Sequence, residues 1–159
     1  MKYELHLRTS RAGALAGLGH DLDLIAEHLE VTATGDKIRA VVKADSVKVY
    51  GAMTDGRLDT KSPGPKDREK ILGNIQKKVL QVAKFPEIIF DADISDMDSG
   101  KITGTLHLCG VSRPLTLTKR DRVWTTKINQ PDFGIEPYSA LMGQLKVADD
   151  VIVVIEEKG

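Results

Sequence analysis

The chain carries one cysteine, Cys109. That excludes an internal disulfide and fits a reducing compartment. Aromatic residues make up only 4% of the sequence: Tyr3, Tyr50, Phe85, Phe90, Trp124, Phe133 and Tyr138. A core built from it therefore has few large rings to fill its middle. An excess of charge of one sign is also missing. The 23 basic and 23 acidic residues cancel, and no basic stripe stands out, which sets nucleic acid aside as a partner. No stretch approaches the ~18 apolar residues needed to span a bilayer. The start, Met1 to His6, has no apolar segment of signal-peptide length. The expectation is a soluble, cytoplasmic protein with neither leader nor transmembrane segment. Its 159 residues make one domain over 1–159.

What is present is alternation of apolar and polar residues. Tyr3, Leu5 and Leu7 share one face of a first strand. Leu22 and Leu24 begin another, and the phase slips before Leu29 to Ala33, which predicts a bulge or bend near Ile25 to His28. Ile38, Ala40, Val42 and Ala44 oppose Arg39, Val41, Lys43 and Asp45. Ile88, Phe90, Ala92 and Ile94 share a face, as do Ile102, Leu106 and Leu108, and then Leu115 and Leu117. Val123 to Asn129 and Val151 to Glu157 complete about eight strands, with Gly, Asp and Asn at the turns, a pattern that predicts an antiparallel barrel or sandwich.

One segment has helical spacing instead. Ile71, Ile75, Val79 and Val82 fall on one face of a helix predicted over 65–83. Pro65 suits its first turn, and Asp67 near that end with Lys77, Lys78 and Lys84 toward the other complements the helix dipole. Pro86 stops it.

No catalytic motif emerges. His107 and Cys109 are two apart and would share a strand face, a poor geometry for a nucleophile and its base. The reading is a half-buried cysteine beside a surface histidine, next to a bend marked by Gly110 and Pro114. His20 in "GLGHDLDL" could act with Asp21 or Asp132, but a glycine-flanked histidine more often fixes the local chain by hydrogen bonding. His6, His20, His28 and His107 are too scattered for a zinc site. Phosphate-loop and nucleophile-elbow patterns are absent. No metal, cofactor or catalytic residue is expected.

Three stretches together resemble the YceI-like family of lipocalin-like, polyisoprenoid-binding bacterial proteins. They are Lys84-Phe85-Pro86-Glu87-Ile88-Ile89-Phe90, then Gly104 to Leu117 ("GTLHLCGVSRPLTL"), then Asp132-Phe133-Gly134-Ile135. The resemblance is strongest over 84–157. The first half departs from the pattern: Lys66-Asp67-Arg68-Glu69-Lys70-Ile71 stands where the family carries R-D-x-H-L, and "SRAGALAGLGHDLDL" replaces its usual opening. The resemblance implies an extended, eight-stranded antiparallel barrel with one helix near an end. It also implies non-enzymatic binding, storage or transport of a long apolar ligand, such as an isoprenoid quinone or polyprenyl lipid. Alternation then nominates the wall as Leu22, Leu24, Val42, Ile88, Phe90, Leu106, Leu108, Leu115, Leu117, Trp124, Ile128, Val151 and Val153. Phe133 and Tyr138 are placed at a mouth. A small enzyme using His20, or a protein-interaction module with an unpaired strand edge, are the alternatives. A homodimer stays open.

Overall fold

The computed structural model describes residues 2–13, 21–95, 97–143 and 145–159. Alternation becomes a single mainly antiparallel β architecture. Its strands are β1 (Lys2–Thr9), β2 (Arg11–Ala12), β3 (Asp21–Ala26), β4 (Leu29–Thr34), β5 (Lys37–Lys43), β6 (Val47–Thr54) and β7 (Arg57–Asp59). After the helix come β8 (Glu87–Asp93), β9 (Lys101–Leu108), β10 (Val111–Arg120), β11 (Val123–Asn129), β12 (Ser139–Ala140), β13 (Leu145–Val147) and β14 (Asp150–Lys158). Eleven strands form one curled sheet in the order β4-β5-β8-β9-β10-β11-β14-β1-β3-β6-β7, and β12-β13-β2 form a small second one.

This corrects the expected closed, eight-stranded barrel. The large sheet keeps two edges, β4 and β7, and does not close on itself by backbone pairing. Of the strands beyond the expected eight, β6 has its alternation interrupted by a glycine. In β6 the alternation of Val47 and Val49 stops at Gly51, which reads as a turn. Gly51 is needed because β7 crosses close to it: a Cβ there would lie 2.6 Å from the Asp59 carbonyl oxygen. The phase slip after Leu24 is a corner between β3 and β4. There Glu27 N–H donates to the Ser46 carbonyl and Lys43 N–H to that of His28, both at 3.2 Å.

The helix α1 covers Pro65–Asn74, and Ile75–Val79 continue it as a π-turn. Pro65 occupies its first turn, where a missing N–H costs nothing. The guanidinium of Arg68 ties this end down: it donates to the carbonyls of Pro63 at 2.7 Å, Val49 at 2.9 Å, Ser62 at 3.3 Å and Thr60. Ile71, Ile75 and Leu80 pack on the buried cluster of Leu24, Ala26, Val42, Val47 and Val49. Val79 and Leu80 also reach a second cluster formed by Leu106, Leu108, Phe133 and Ile135. The predicted contact through Val82 is not made. The π-turn adds a residue to the last turn, and Leu80 takes the inward place.

The outer face of β1 and β3 carries a compact charge cluster. Asp23 is almost fully buried. His6 bridges two carboxylates: Nδ1 lies 2.5 Å from Asp23 Oδ1 and Nε2 2.7 Å from Glu4 Oε1. Arg8 Nε–H donates to Asp23 Oδ2 at 3.4 Å, and the ring of Tyr50 meets His6 edge-on at 5.0 Å. Burial favours a neutral imidazole, but the bonds to Asp23 and Glu4 outweigh it and hold its pKa above the ordinary histidine value. The hydrogen bond from His6 lowers the Glu4 pKa against the opposing effect of burial.

Two tests follow from this packing. An alanine Cβ at Gly104 would sit 2.2 Å from the Asp91 carbonyl oxygen and 2.6 Å from Ala92 Cβ. Gly104→Ala should therefore lower stability by about 1–3 kcal/mol. Gly73→Ala meets nothing within 4 Å on the helix and should raise stability by about 1 kcal/mol. Urea denaturation midpoints of both variants check the pair. His6→Gln should cost about 2–3 kcal/mol, since it breaks a buried pair yet leaves Arg8 beside Asp23. The His6 contribution is complete below the unfolded histidine pKa of ~6.5. It fades as the pH rises through the higher folded value. The Glu4 contribution has the opposite sense: it is present above the unfolded glutamate pKa of ~4.3 and lost on acidification. The gap between wild type and His6→Gln should accordingly narrow as denaturation is repeated at increasingly alkaline pH.

Candidate functional site

The inward parity of the strands leaves a cavity of about 320 Å³. Its wall runs from Tyr3 to Thr9 on β1 and from Ile102 to Leu108 on β9. Each of those paths is roughly 20 Å long at 3.3 Å per residue. The volume sits near the lower end of the roughly 300–1,000 Å³ typical of small-molecule sites. Its apolar lining thus extends along most of the length of both strands. Aliphatic side chains dominate the wall, and its polar side chains are Thr9, Asn74, Thr126 and Gln130, with the phenols Tyr3 and Tyr138. Gln130 is itself held by donation from Nε2 to the Ala148 carbonyl at 3.1 Å.

Every wall residue nominated from the sequence lies on this cavity: Leu22, Leu24, Val42, Ile88, Phe90, Leu106, Leu108, Leu115, Leu117, Trp124, Ile128, Val151 and Val153. Tyr138 lines it too, with Lys78 Nζ 5.6 Å from its ring centroid. Phe133 does not. It is buried at 4% exposure in the packed cluster with Leu106, Leu108 and Ile135. The αL conformation of Gly134, at φ 70°, ends the short helical turn Gln130–Phe133 and leaves the ring inside.

Sequence reasoning missed several wall residues. Tyr3, Leu5 and Leu7 had the right parity, so a signal for them existed. Ile71, Ile75, Val79 and Leu80 come from the helix, whose apolar face was legible but not its docking place. Met97 and Ile135 stand in irregular segments where no periodicity could point to them.

Around Trp124 the cavity wall meets charge. Trp124 Nε1–H donates to Glu157 Oε2 at 3.3 Å, and Lys119 Nζ lies 3.0 Å from Glu157 Oε1 and 5.5 Å from the Trp124 ring centroid. The Lys119 ammonium beside Glu157 lowers the carboxyl pKa; burial opposes this, and the Trp124 bond adds to it. Trp124 is thus fixed by its polar edge while its ring faces the channel.

Among the described residues a hydroxyl, an imidazole and a carboxylate do meet, at Ser112, His107 and Asp91, but on the exposed outer face and away from the channel. His107 and Cys109 part ways. His107 Nδ1 is 2.6 Å from Ser112 Oγ, and its Nε2 is 3.4 Å from Asp91 Oδ2 on the exposed outer face. Cys109 and Gly110 are the two residues of the β9–β10 turn, both with positive φ (51° and 78°), as a two-residue hairpin turn requires. The expected bend at Gly110 to Pro114 is therefore shorter than predicted, since Pro114 already pairs with Thr105. The Cys109 thiol points at the Val79 and Leu80 carbonyls at 3.9 and 3.6 Å, and burial raises its pKa. His20 lies outside the described residues. Of its suggested partners, Asp21 accepts hydrogen bonds from Arg11 N–H and Nε–H. The Asp132 carbonyl accepts from Arg113 Nε–H at 2.5 Å. The His6 imidazole has both nitrogens engaged by carboxylates and faces away from the channel, so it has no free lone pair to serve as a base. Also among the described residues, no three metal-ligating side chains gather.

Cys109 should be unreactive: a thiol of raised pKa is mostly protonated at neutral pH. Cys109→Ala should leave ligand binding unchanged, and a thiol-specific chromogenic reagent should label the native protein much more slowly than the urea-unfolded chain.

The fold recurs in solved structures. A polyisoprenoid binding domain from Saccharophagus degradans implicated in plant cell wall breakdown is 12% identical, with 99% of this chain and 94% of that one covered at a TM-score of 0.58. BcnA from Burkholderia cenocepacia is 13% identical, with 96% and 93% covered and a TM-score of 0.59. A mutant YceI protein carrying a monobromobimane guest is 17% identical, with 86% and 82% covered and a TM-score of 0.57. No curated protein sequence matches the chain. The sequence pattern of the YceI-like domain matches residues 12–158, nearly the whole curled sheet with its helix, and the chain belongs to the YceI-like family.

Proposed function

We propose that this protein binds the hydrocarbon tail of an isoprenoid, such as a prenyl quinone or polyprenyl lipid, and carries it without chemical change. The observation that carries this reading is the long, apolar and unfilled channel. A void of this size forgoes several kcal/mol of packing that a better-filled core would gain. A threaded tail recovers that packing and also gains about 0.8 kcal/mol per buried CH₂, before ordering and association costs are subtracted. The extended apolar wall favours a chain over a compact polar substrate. The relative from Saccharophagus degradans, described as polyisoprenoid binding, supports the class of ligand.

A binding series over geraniol, farnesol, geranylgeraniol and longer prenyl alcohols tests it. Affinity should rise with chain length until the channel is full, then level off. Phe90→Trp and Leu106→Trp place a larger ring in the channel wall and should shorten the longest chain accepted. Their melting temperatures should change little, whereas overpacking a solid core would cost about 1–3 kcal/mol. Flat affinity along the series, together with strongly destabilised variants, overturns the proposal.

A further inference from the structure

The small sheet does not pair with the large one, yet it touches the channel. The chain enters it just after Tyr138 and leaves it at Val147, and both residues line the cavity. Between them the hairpin carries Met142, a fully exposed residue. Among the described residues no other large apolar side chain exceeds 42% exposure. Its backbone sits at φ 56° and ψ 37°, and Gly143 follows at φ 85°. A methionine in the left-handed region is uncommon, and this one presents its thioether wholly to solvent at the tip of an arm.

Charge gathers beside that arm. Lys78 reaches over Tyr138 from the π-turn, and Lys77 next to it is exposed. The stretch 70–84 holds Lys70, Lys77, Lys78 and Lys84 and no carboxylate, and 139–147 holds Lys146 and no carboxylate. Glu136 and Asp149 flank the arm outside those limits. Lys78 over Tyr138, its exposed neighbour Lys77 and Lys146 on β13 thus form a basic rim at the arm that carries Met142, beside the wall residues Tyr138 and Val147.

We infer that this rim docks the protein on an anionic lipid surface, with Met142 entering the headgroup region and the lysines neutralising lipid charge. Apolar insertion combined with basic residues is the chemistry of interfacial anchoring. Each lysine near such a surface strengthens binding about fivefold. Docking there brings the channel against the bilayer, so a tail can pass between the two without crossing water. The inference rests on the carrier reading for its purpose but not for its test.

The test is cosedimentation of the protein, without added ligand, with vesicles of phosphatidylcholine plus phosphatidylglycerol and with vesicles of phosphatidylcholine alone. Binding is expected to the anionic vesicles only, and to weaken as salt screens the contact. Met142→Asp should weaken it severalfold with an unchanged melting curve, and Lys77→Glu should weaken it roughly fivefold or more. Binding to neither vesicle, or equal binding by the variants, overturns the docking surface. Self-association in free solution that Met142→Asp abolishes would also overturn it, by making a second copy the occupant. Farnesol binding in buffer is measured alongside. If it persists while vesicle binding fails, only the docking falls; if vesicle binding persists while farnesol binding fails, only the carrier reading falls.

Discussion

An antiparallel sheet has one side facing in, and here that side is furnished almost entirely with Leu, Ile and Val. The spacing of neighbouring strands is set by backbone hydrogen bonds, and side-chain size cannot shrink it. Aliphatic side chains of one length, standing on a wall so spaced, do not meet in the middle. The few inward rings, chiefly Phe90 and Trp124, leave the axis open. Most of the remaining architecture answers that shortage of volume. The helix covers one side of the opening with Ile71 and Ile75. Trp124 is pinned by Glu157 and Lys119, and the arm residues Tyr138 and Val147 complete the wall.

The same constraint separates the two faces of the sheet chemically. Inside, an unpaired charge would be prohibitive, and the polar groups on the wall are hydroxyls and amides. Outside, charges are paired across strands. Arg39 forms two hydrogen bonds to Asp91, Lys37 meets Asp93 at 3.2 Å, and His6 is held between Glu4 and Asp23. These pairs fix register, because a slip of one residue would exchange the charged face for the apolar one.

Much of this was legible before any coordinates. A period of two fixes which side chains share a face, and every wall residue nominated that way lines the channel. What alternation cannot say is whether a sheet closes, because that depends on the two outermost strands, and β7 is only Arg57–Asp59 long. Phe133 was misplaced for a different reason. It stands in a helical turn ended by Gly134, where the direction of a side chain follows from one glycine dihedral and not from a repeat. The His6 cluster gave no signal either. Glu4, His6 and Arg8 look like an ordinary outer face until β3 is laid beside them with Asp23 in register with Arg8.

The five-residue turn at Ile75–Val79 fixes more than the seat of one leucine. Hydrogen bonds such as that from Leu80 N–H to the Ile75 carbonyl, 2.8 Å long, span one residue more than an α-helix uses. The helix therefore holds a one-residue surplus in that turn. Removing a single residue there would restore regular α-geometry while turning everything after it by about 100°. Leu80 would leave the cluster it shares with Leu106 and Leu108, and the lysines at the helix end would face elsewhere. In length variation, then, this stretch behaves unlike most surface helices: its spacing, more than its composition, keeps the lining and the rim in phase with each other.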